Sequence, residues 1–418
     1  MYSMGAVHLG LALADGAKAN LIKSIAGNPL VPASPLPSAF WVLFTGTLLN
    51  RLGSVVVPVL SIYLVSQRHV SVEIAGLVVS GYGAGAIFAG LIGGWMADRF
   101  GRRPALVSSL ILGAIAMLFV GFAEQLPAIF GAIFALGLFG EMYRPAVSAA
   151  LADLVPEGHR TLAFGYLHWA INLGFSIAAI SAGWLVEHNF RLLFVIDAIT
   201  TLSFAALVLW RLPETQPAQK GQSRAFINPF IALADLRFGG FLIGTFLVVV
   251  VFHQFAVALP LDLLSRGISP TKFGMLVAIN GLLIVIVQPL FSQRAGRLPK
   301  RALMVGGALL TGVGFGLHGL LLSIPGVIVC IVLWTLGEII LSPVSPTIIA
   351  EAAGVDQQAR YQGAYQIAHG VGAMVAPTAG NFVLGRFGAP ALWMGCLFLG
   401  CGSAVIYAFI VPKLRRST

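Results

Sequence analysis

A chain of 418 residues that is 58% hydrophobic and 10% charged is built for lipid, since soluble chains are about a quarter charged. A net charge of +10 would suit nucleic acid in a soluble protein, but in a membrane protein the placement of charge outweighs its sum, and no nucleic-acid partner is expected. Cys330, Cys396 and Cys401 all lie in apolar stretches, which excludes a disulfide framework and a Cys-x-x-Cys metal site.

Residues 1–37 lack the positive start of a secretory signal and end in Pro32, Pro35 and Pro37. They are expected to form a cytosolic leader with one amphipathic turn around Leu9–Ile25, a mis-chosen start codon being the alternative. A membrane-spanning helix needs about 20 apolar residues. Stretches of that kind fall near 39–66, 72–97, 105–123, 127–153, 160–187 and 190–211. A polar linker, "PETQPAQKGQSRAF", follows. Six more stretches fall near 238–265, 270–293, 301–323, 325–350, 360–386 and 389–411. The expected fold is an all-α membrane protein of twelve transmembrane helices. Residues 38–211 would form one six-helix bundle and 238–411 a second, with 212–237 a cytosolic linker and 412–418 a cytosolic tail.

The halves resemble each other. Val55–Leu64, "VVVPVLSIYL", answers Ala256–Leu264, "AVALPLDLL". Ser71–Gly83 answers Ser269–Gly281, and "GEMYRPAVSAALAD" answers "GEIILSPVSPTIIAE". Tandem halves of this kind indicate a two-lobed transporter with its site between the lobes. Of the 25 Lys and Arg residues, eighteen fall in segments that face the cytosol if both termini do. Five, Arg68, Arg191, Arg266, Lys272 and Arg386, fall in the opposite loops, and Arg51 and Arg144 lie within spans. That bias predicts cytosolic termini.

The interior charges need a reason to be there. A cation at the bilayer centre costs from about 2.5 to more than 10 kcal/mol, yet Arg51 sits near the middle of the first span. Glu141 lies at similar depth in the fourth span, with Arg144 one turn further on. His253, counted back from the matched prolines Pro58 and Pro260, takes the place of Arg51 in the seventh span. Glu338 takes the place of Glu141 in the tenth. Glu141 and Arg144, three apart, share a helix face. Glu141 can thus bond Arg144, Arg51 or neither. Asp197, in the sixth span, is a further acid that could meet Arg51. Tyr82, Tyr143, Trp169, Trp334 and Tyr365 could line a cavity or simply pack.

"GGWMADRFGRRP", residues 93–104, joins the second and third spans. Gly94 would let a neighbouring helix pack closely. Asp98 ends its helix where its charge can meet an Arg or a helix N-terminus. Gly101 permits the tight turn. The stretch resembles motif A of the major facilitator superfamily, G-x-x-x-D-R-x-G-R-R/K, through Gly94, Asp98, Arg99, Gly101, Arg102 and Arg103. The second-half copy, "FSQRAGRLPKR", keeps the basic charge and lacks the Asp.

The resemblance covers residues from about 38 to 411 and implies alternating access. It implies an inner gate in which Asp98 and Arg102 cluster with Asp153 when the protein is open outward. It also implies that the first, fourth, seventh and tenth spans line the central cavity. Arg51, Glu141, Arg144, His253 and Glu338 would then border the substrate and proton pathway. Within the superfamily the chain is most similar to bacterial proton-coupled exporters of drugs or metabolites. It departs from their pattern at Ala178-Ala179, where Gly-Pro is expected, and at Ile133, where Arg is expected.

The function expected is secondary active transport, with proton-coupled export of small organic molecules. The alternatives are import or uncoupled facilitation of a metabolite, or a transporter-like receptor that does not transport. The absence of a phosphate-binding loop argues against a primary pump. The expected protein is not an enzyme, takes no cofactor, and sits as a monomer in a bacterial inner membrane. Its partners are lipid, protons and a small-molecule substrate.

Overall fold

A computed structural model describes residues 36–54, 56–215, 235–295 and 298–414, with the side chains at 91, 157, 158, 161, 293, 354–359 and 413 outside that description. The expected leader and most of the expected linker therefore lie outside the described residues. Almost all of the described residues belong to one compact unit, Ala39–Thr418.

Every described element is helical. In chain order they are α1 (Ser38–Gly53), α2 (Val56–Ile62, continued by a π turn over Tyr63–Gln67), α3 (Val72–Arg99), α4 (Arg102–Phe122), α5 (Leu126–Glu141), α6 (Tyr143–Leu154) and α7 (Glu157–His188). There follow α8 (Phe190–Arg211), α9 (Leu236–Phe252), α10 (Gln254–Ser265), α11 (Pro270–Ala295), α12 (Lys300–Gly316) and α13 (Ile324–Ile410). Among the described residues, eleven stretches are long and apolar enough to cross a membrane. Ten of them begin and end within a few residues of the expected spans. The eleventh, Arg360–Ile410, is 51 residues long and contains Gly388 at φ +83°, a backbone conformation outside the α-helical range.

Span ends follow capping chemistry. Ser71, Asn189 and Ser323 accept hydrogen bonds from the N–H groups of Ile74, Leu192 and Gly326. Asp235 accepts from the N–H groups of Arg237 and Phe238. Each cap satisfies a donor that the first turn leaves without an intrahelical partner.

Three spans are interrupted at mid-depth, and proline accounts for two of the breaks. Pro58 has no N–H to offer, and its ring crowds the carbonyl four residues back, at Ser54; α1 ends at Gly53 and the chain resumes as α2. Pro145 acts in the same way on Glu141, the last residue of α5. The third break is the turn at His253, as far before Pro260 as Arg51 is before Pro58.

One hydrophobic cluster joins the two halves of the sequence. It holds Val59, Tyr63, Ala178 and Phe194 from the first half and Ala256, Leu261 and Ala278 from the second. At the same end, Glu187 accepts a hydrogen bond from the N–H of Thr271 at 2.9 Å. A cluster at the opposite end of the second half, around Phe238, Met304, Ile348 and Tyr361, contains no first-half residue.

Within the second half, Asp262 is 2% exposed. It holds Arg266 through Nε at 3.0 Å and Nη2 at 2.5 Å, and accepts the indole N–H of Trp393 at 2.7 Å. Arg266 also donates to the carbonyl of His318 at 2.7 Å. This pair ties α10 to the end of α12 and to the last part of α13.

Candidate functional site

The interior charges gather at the helix breaks. Arg51 lies in the last turn of α1, where the unpaired carbonyls carry partial negative charge. Its guanidinium donates to the hydroxyl of Tyr143 and stands 5.9 Å from the centre of that ring. Arg51 thus reaches the fourth span, and its partner there is Tyr143 rather than Glu141. Glu141 is engaged elsewhere. One oxygen accepts from the Tyr82 hydroxyl at 2.5 Å, and the other faces Nε of Arg144 at 2.5 Å. The three-residue spacing of Glu141 and Arg144 thus forms an ion pair across the break at Met142.

The Arg144 side chain is 56% exposed, and Glu141 is 16% exposed. Lipid solvates a guanidinium poorly, and the exposed face of Arg144 turns away from the Tyr82–Glu141 contact. Behind it, Asn50, Arg51, Tyr82, Glu141, Tyr143 and Asp197 face a chamber of about 40 Å³. Asp197 and Arg51 share this chamber without a direct ion pair.

The second half supplies a less charged counterpart. Glu338 accepts from Asn280 at 2.8 Å, and Asn280 also donates to Thr335 at 3.1 Å. The ring centres of His253 and His369 are 5.7 Å apart, and His253 bonds the carbonyl of Val249 through Nδ1 at 2.9 Å. His168, from α7, meets Gln288 of α11 at 3.1 Å. Arg51, Glu141 and Arg144 therefore form one group, while His253 and Glu338 belong to two others. Tyr82, Tyr143 and Asn280 organise these groups. The sequence marks the two tyrosines only as residues that could line a cavity or pack, and it does not mark Asn280. The clue was available for Tyr143, which lies between Glu141 and Arg144.

The α3–α4 turn bears its own charge cluster. Arg102 Nη1 is 2.7 Å from Asp98, and Nε is 3.1 Å from Asp153. Gly101 adopts φ +107°, a conformation that disfavours any side chain. The Glu214 carboxylate, from just beyond α8, accepts from the backbone N–H groups of Arg102 and Arg103 at 2.9 and 3.2 Å. It therefore caps the start of α4, where orphan donors favour an anion. Sequence reasoning misses Glu214, which is brought to this turn only by the packing of α4 against α8. Arg103 also donates to the carbonyl of Leu209. Arg99 lies over the rings of Trp95 and Phe100.

One expectation for this turn needs correction. Among the described residues, nothing lies within 4 Å of a Cβ placed on Gly94. The close approach is instead at its neighbour Gly93, where a Cβ would come within 3.1 Å of the Met142 Cα, because α3 presents that adjacent face to the break in the fourth span. The expected Asp98–Arg102–Asp153 cluster is formed. All three residues belong to the first half, so the cluster needs no contribution from the second.

Comparison with known proteins agrees with this architecture. The model described as Major Facilitator Superfamily matches residues 43–262 and 241–418. The Na(+), Li(+), K(+)/H(+) antiporter of Planococcus maritimus is 25% identical over 375 residues, covering 81% of this chain and 85% of that protein. Multidrug resistance protein MdtH of Citrobacter koseri is 24% identical over 341 residues, covering 79% and 82%. The crystal structure of a POT family transporter, in complex with a thioalcohol-conjugated peptide, aligns with a TM-score of 0.75 over 91% of this chain and 97% of that one. At 19% identity that likeness shows the fold alone. With both halves matched, the chain belongs to the Major Facilitator Superfamily, a family of transporters rather than enzymes.

Proposed function

We propose that the protein is a secondary active transporter that exports small organic molecules in exchange for protons. The observation that carries this reading is the Glu141 carboxylate, held between the Tyr82 hydroxyl and the half-exposed Arg144. Burial favours the neutral form of an acid and a neighbouring cation favours the charged form. A proton arriving at Glu141 would loosen Arg144, and a substrate meeting Arg144 would loosen Glu141. Such competition for one carboxylate couples two movements. The likeness to a cation/proton antiporter and a multidrug resistance protein supports exchange and export. With one Arg–Glu pair and neutral partners around Glu338, the site suits neutral or zwitterionic compounds.

The architecture proposed with it is twelve spans in two six-helix bundles, 38–211 and 238–411. At about 1.5 Å per residue, a 51-residue run is over twice the length needed for a core about 30 Å thick. Gly388 supplies a place to reverse it. The Lys and Arg bias supports cytosolic termini and a cytosolic linker in a bacterial inner membrane. With that orientation, the hydrophobic cluster joining the halves lies on the outer side. Asp98, Arg102 and Asp153, with the turn from Gly94 to Arg103, would then stiffen the inner end of the first bundle as it rocks. A protomer carries its whole pathway, which supports a monomer.

The test is uptake into inverted membrane vesicles across an imposed pH gradient, using a screen of drugs and metabolites. Accumulation should require the gradient, and Glu141→Gln should abolish its effect while leaving substrate exchange. Uptake that is indifferent to pH, or that Glu141→Gln leaves gradient-driven, would overturn the coupling. Accumulation only in right-side-out vesicles would favour import instead.

A further inference from the structure

The chamber behind Arg51 contains an acid for which the proposed mechanism has no use. Asp197 of α8 is 3% exposed. Its Oδ1 accepts the Thr201 hydroxyl at 3.3 Å, and that hydroxyl oxygen is already taken as an acceptor by Asn50 at 2.9 Å. Its Oδ2 is buried with no hydrogen-bond partner. No ion pair reaches it among the described residues, although Nε of Arg51 is likewise buried and unpartnered. Both residues line the same chamber of about 40 Å³. A cavity needs about 10–15 Å³ of this kind of volume to hold one water, and polar walls to keep it. The chamber has room for about three.

An ionised carboxylate with one weak neutral partner is costly inside a membrane bundle. Two arrangements relieve it. Either a proton sits on Oδ2, or Arg51 turns from Tyr143 toward it. Four titratable groups share the chamber with it. Arg51 comes from α1, Tyr82 from α3, and Glu141 and Tyr143 from α5 and α6; the α4 wall, with Ser109 and Met117, carries no titratable group.

We propose that Asp197 is a second proton-binding site, filled and emptied through water in this chamber and separate from the Glu141 carboxylate. A proton passes from chamber water to Oδ2, with no other bond made or broken. With Asp197 neutral, Arg51 stays on Tyr143. With Asp197 ionised, Arg51 is drawn to it and Tyr143 is released, beside the break that carries Glu141 and Arg144. Proton occupancy deep in the first half is thereby linked to the geometry of that pair. The second site rests on the proton-coupled reading of the transporter and extends it.

The test needs no substrate, so it can fail without touching the transport experiment, and the reverse. Infrared difference spectra of the full chain in lipid nanodiscs, between mildly acidic and alkaline buffer, should show a protonated-carboxyl band. Asp197→Asn should lose one component of that band, and Glu141→Gln should retain the same component. An Asp197→Asn spectrum identical to wild type would overturn the proposal. Should that variant fail to fold, radiolytic hydroxyl labelling of the wild-type protein decides the water route. Met117 on the chamber wall should be oxidised, while Met304, fully buried in the second half, should not. An unlabelled Met117 would leave Asp197 with no route for a proton and would equally overturn it.

Discussion

Asp262→Ala should be the most destabilising single change in the second half. Asp262 is 2% exposed and the Arg266 side chain 15%, so the pair lies beyond the reach of solvent screening. Removing one partner of a buried ion pair costs about 3–5 kcal/mol, because the remaining charge stays buried. The indole N–H of Trp393 would also lose its acceptor at 2.7 Å, and a buried orphan donor costs about 1–3 kcal/mol more. The sum, about 4–8 kcal/mol, rivals the whole stability of a typical domain. In detergent, thermal unfolding followed by tryptophan fluorescence should show a large fall in midpoint or an aggregated preparation. The double variant Asp262→Leu with Arg266→Leu tests the reasoning. Replacing a buried pair by apolar groups is often neutral, so the double variant should recover most of the loss, apart from the Trp393 donor. A double variant as unstable as the single one, or a single variant with a wild-type midpoint, would show that the pair is not what holds α10 to the last part of α13.

Arg51→Lys should fold and yet lose much of the transport in the vesicle assay. The ammonium keeps the charge but not the planar fork, and a hydrogen bond from a charged donor is worth about 1.5–3 kcal/mol, or roughly 10–150-fold in a rate that depends on it; wild-type transport would refute the pathway role. Asp98→Asn should slow transport while leaving equilibrium substrate binding near wild type, and abolished binding in a well-folded variant would show a role other than gating. Gly101→Ala should lower the unfolding midpoint, since the left-handed backbone at φ +107° costs a side chain about 1–3 kcal/mol and its Cβ would meet the Glu214 carboxylate; an unchanged midpoint would mean the turn relaxes freely. Reporter fusions after Pro213 and at Thr418 should both report the cytosol, and an outer signal from either would overturn the span count.

The sequence by itself determined that this chain is helical and membrane-spanning, and where most spans begin and end. Apolar runs, capping residues and prolines act over one or two turns, so they can be read without the fold. The same holds for the breaks beside Arg51 and Glu141, which follow from Pro58 and Pro145. The ion pair of Glu141 with Arg144 was also legible as an option, because three residues on a helix return to one face. Which option is taken was decided by the fold. Tyr82 reaches Glu141 from 59 positions away in the chain, and Glu214 reaches Arg102 from 112 positions away, and no local pattern carries that information. Arg266 looked like an outer-loop cation in the sequence, while the fold buries it against Asp262, Trp393 and the His318 carbonyl. The Gly93 and Gly94 exchange shows the same limit at one-residue scale. A glycine pair announces close packing, but which member meets a neighbour depends on the rotation of α3 about its axis, and only the packing of the fourth span against α3 fixes that rotation.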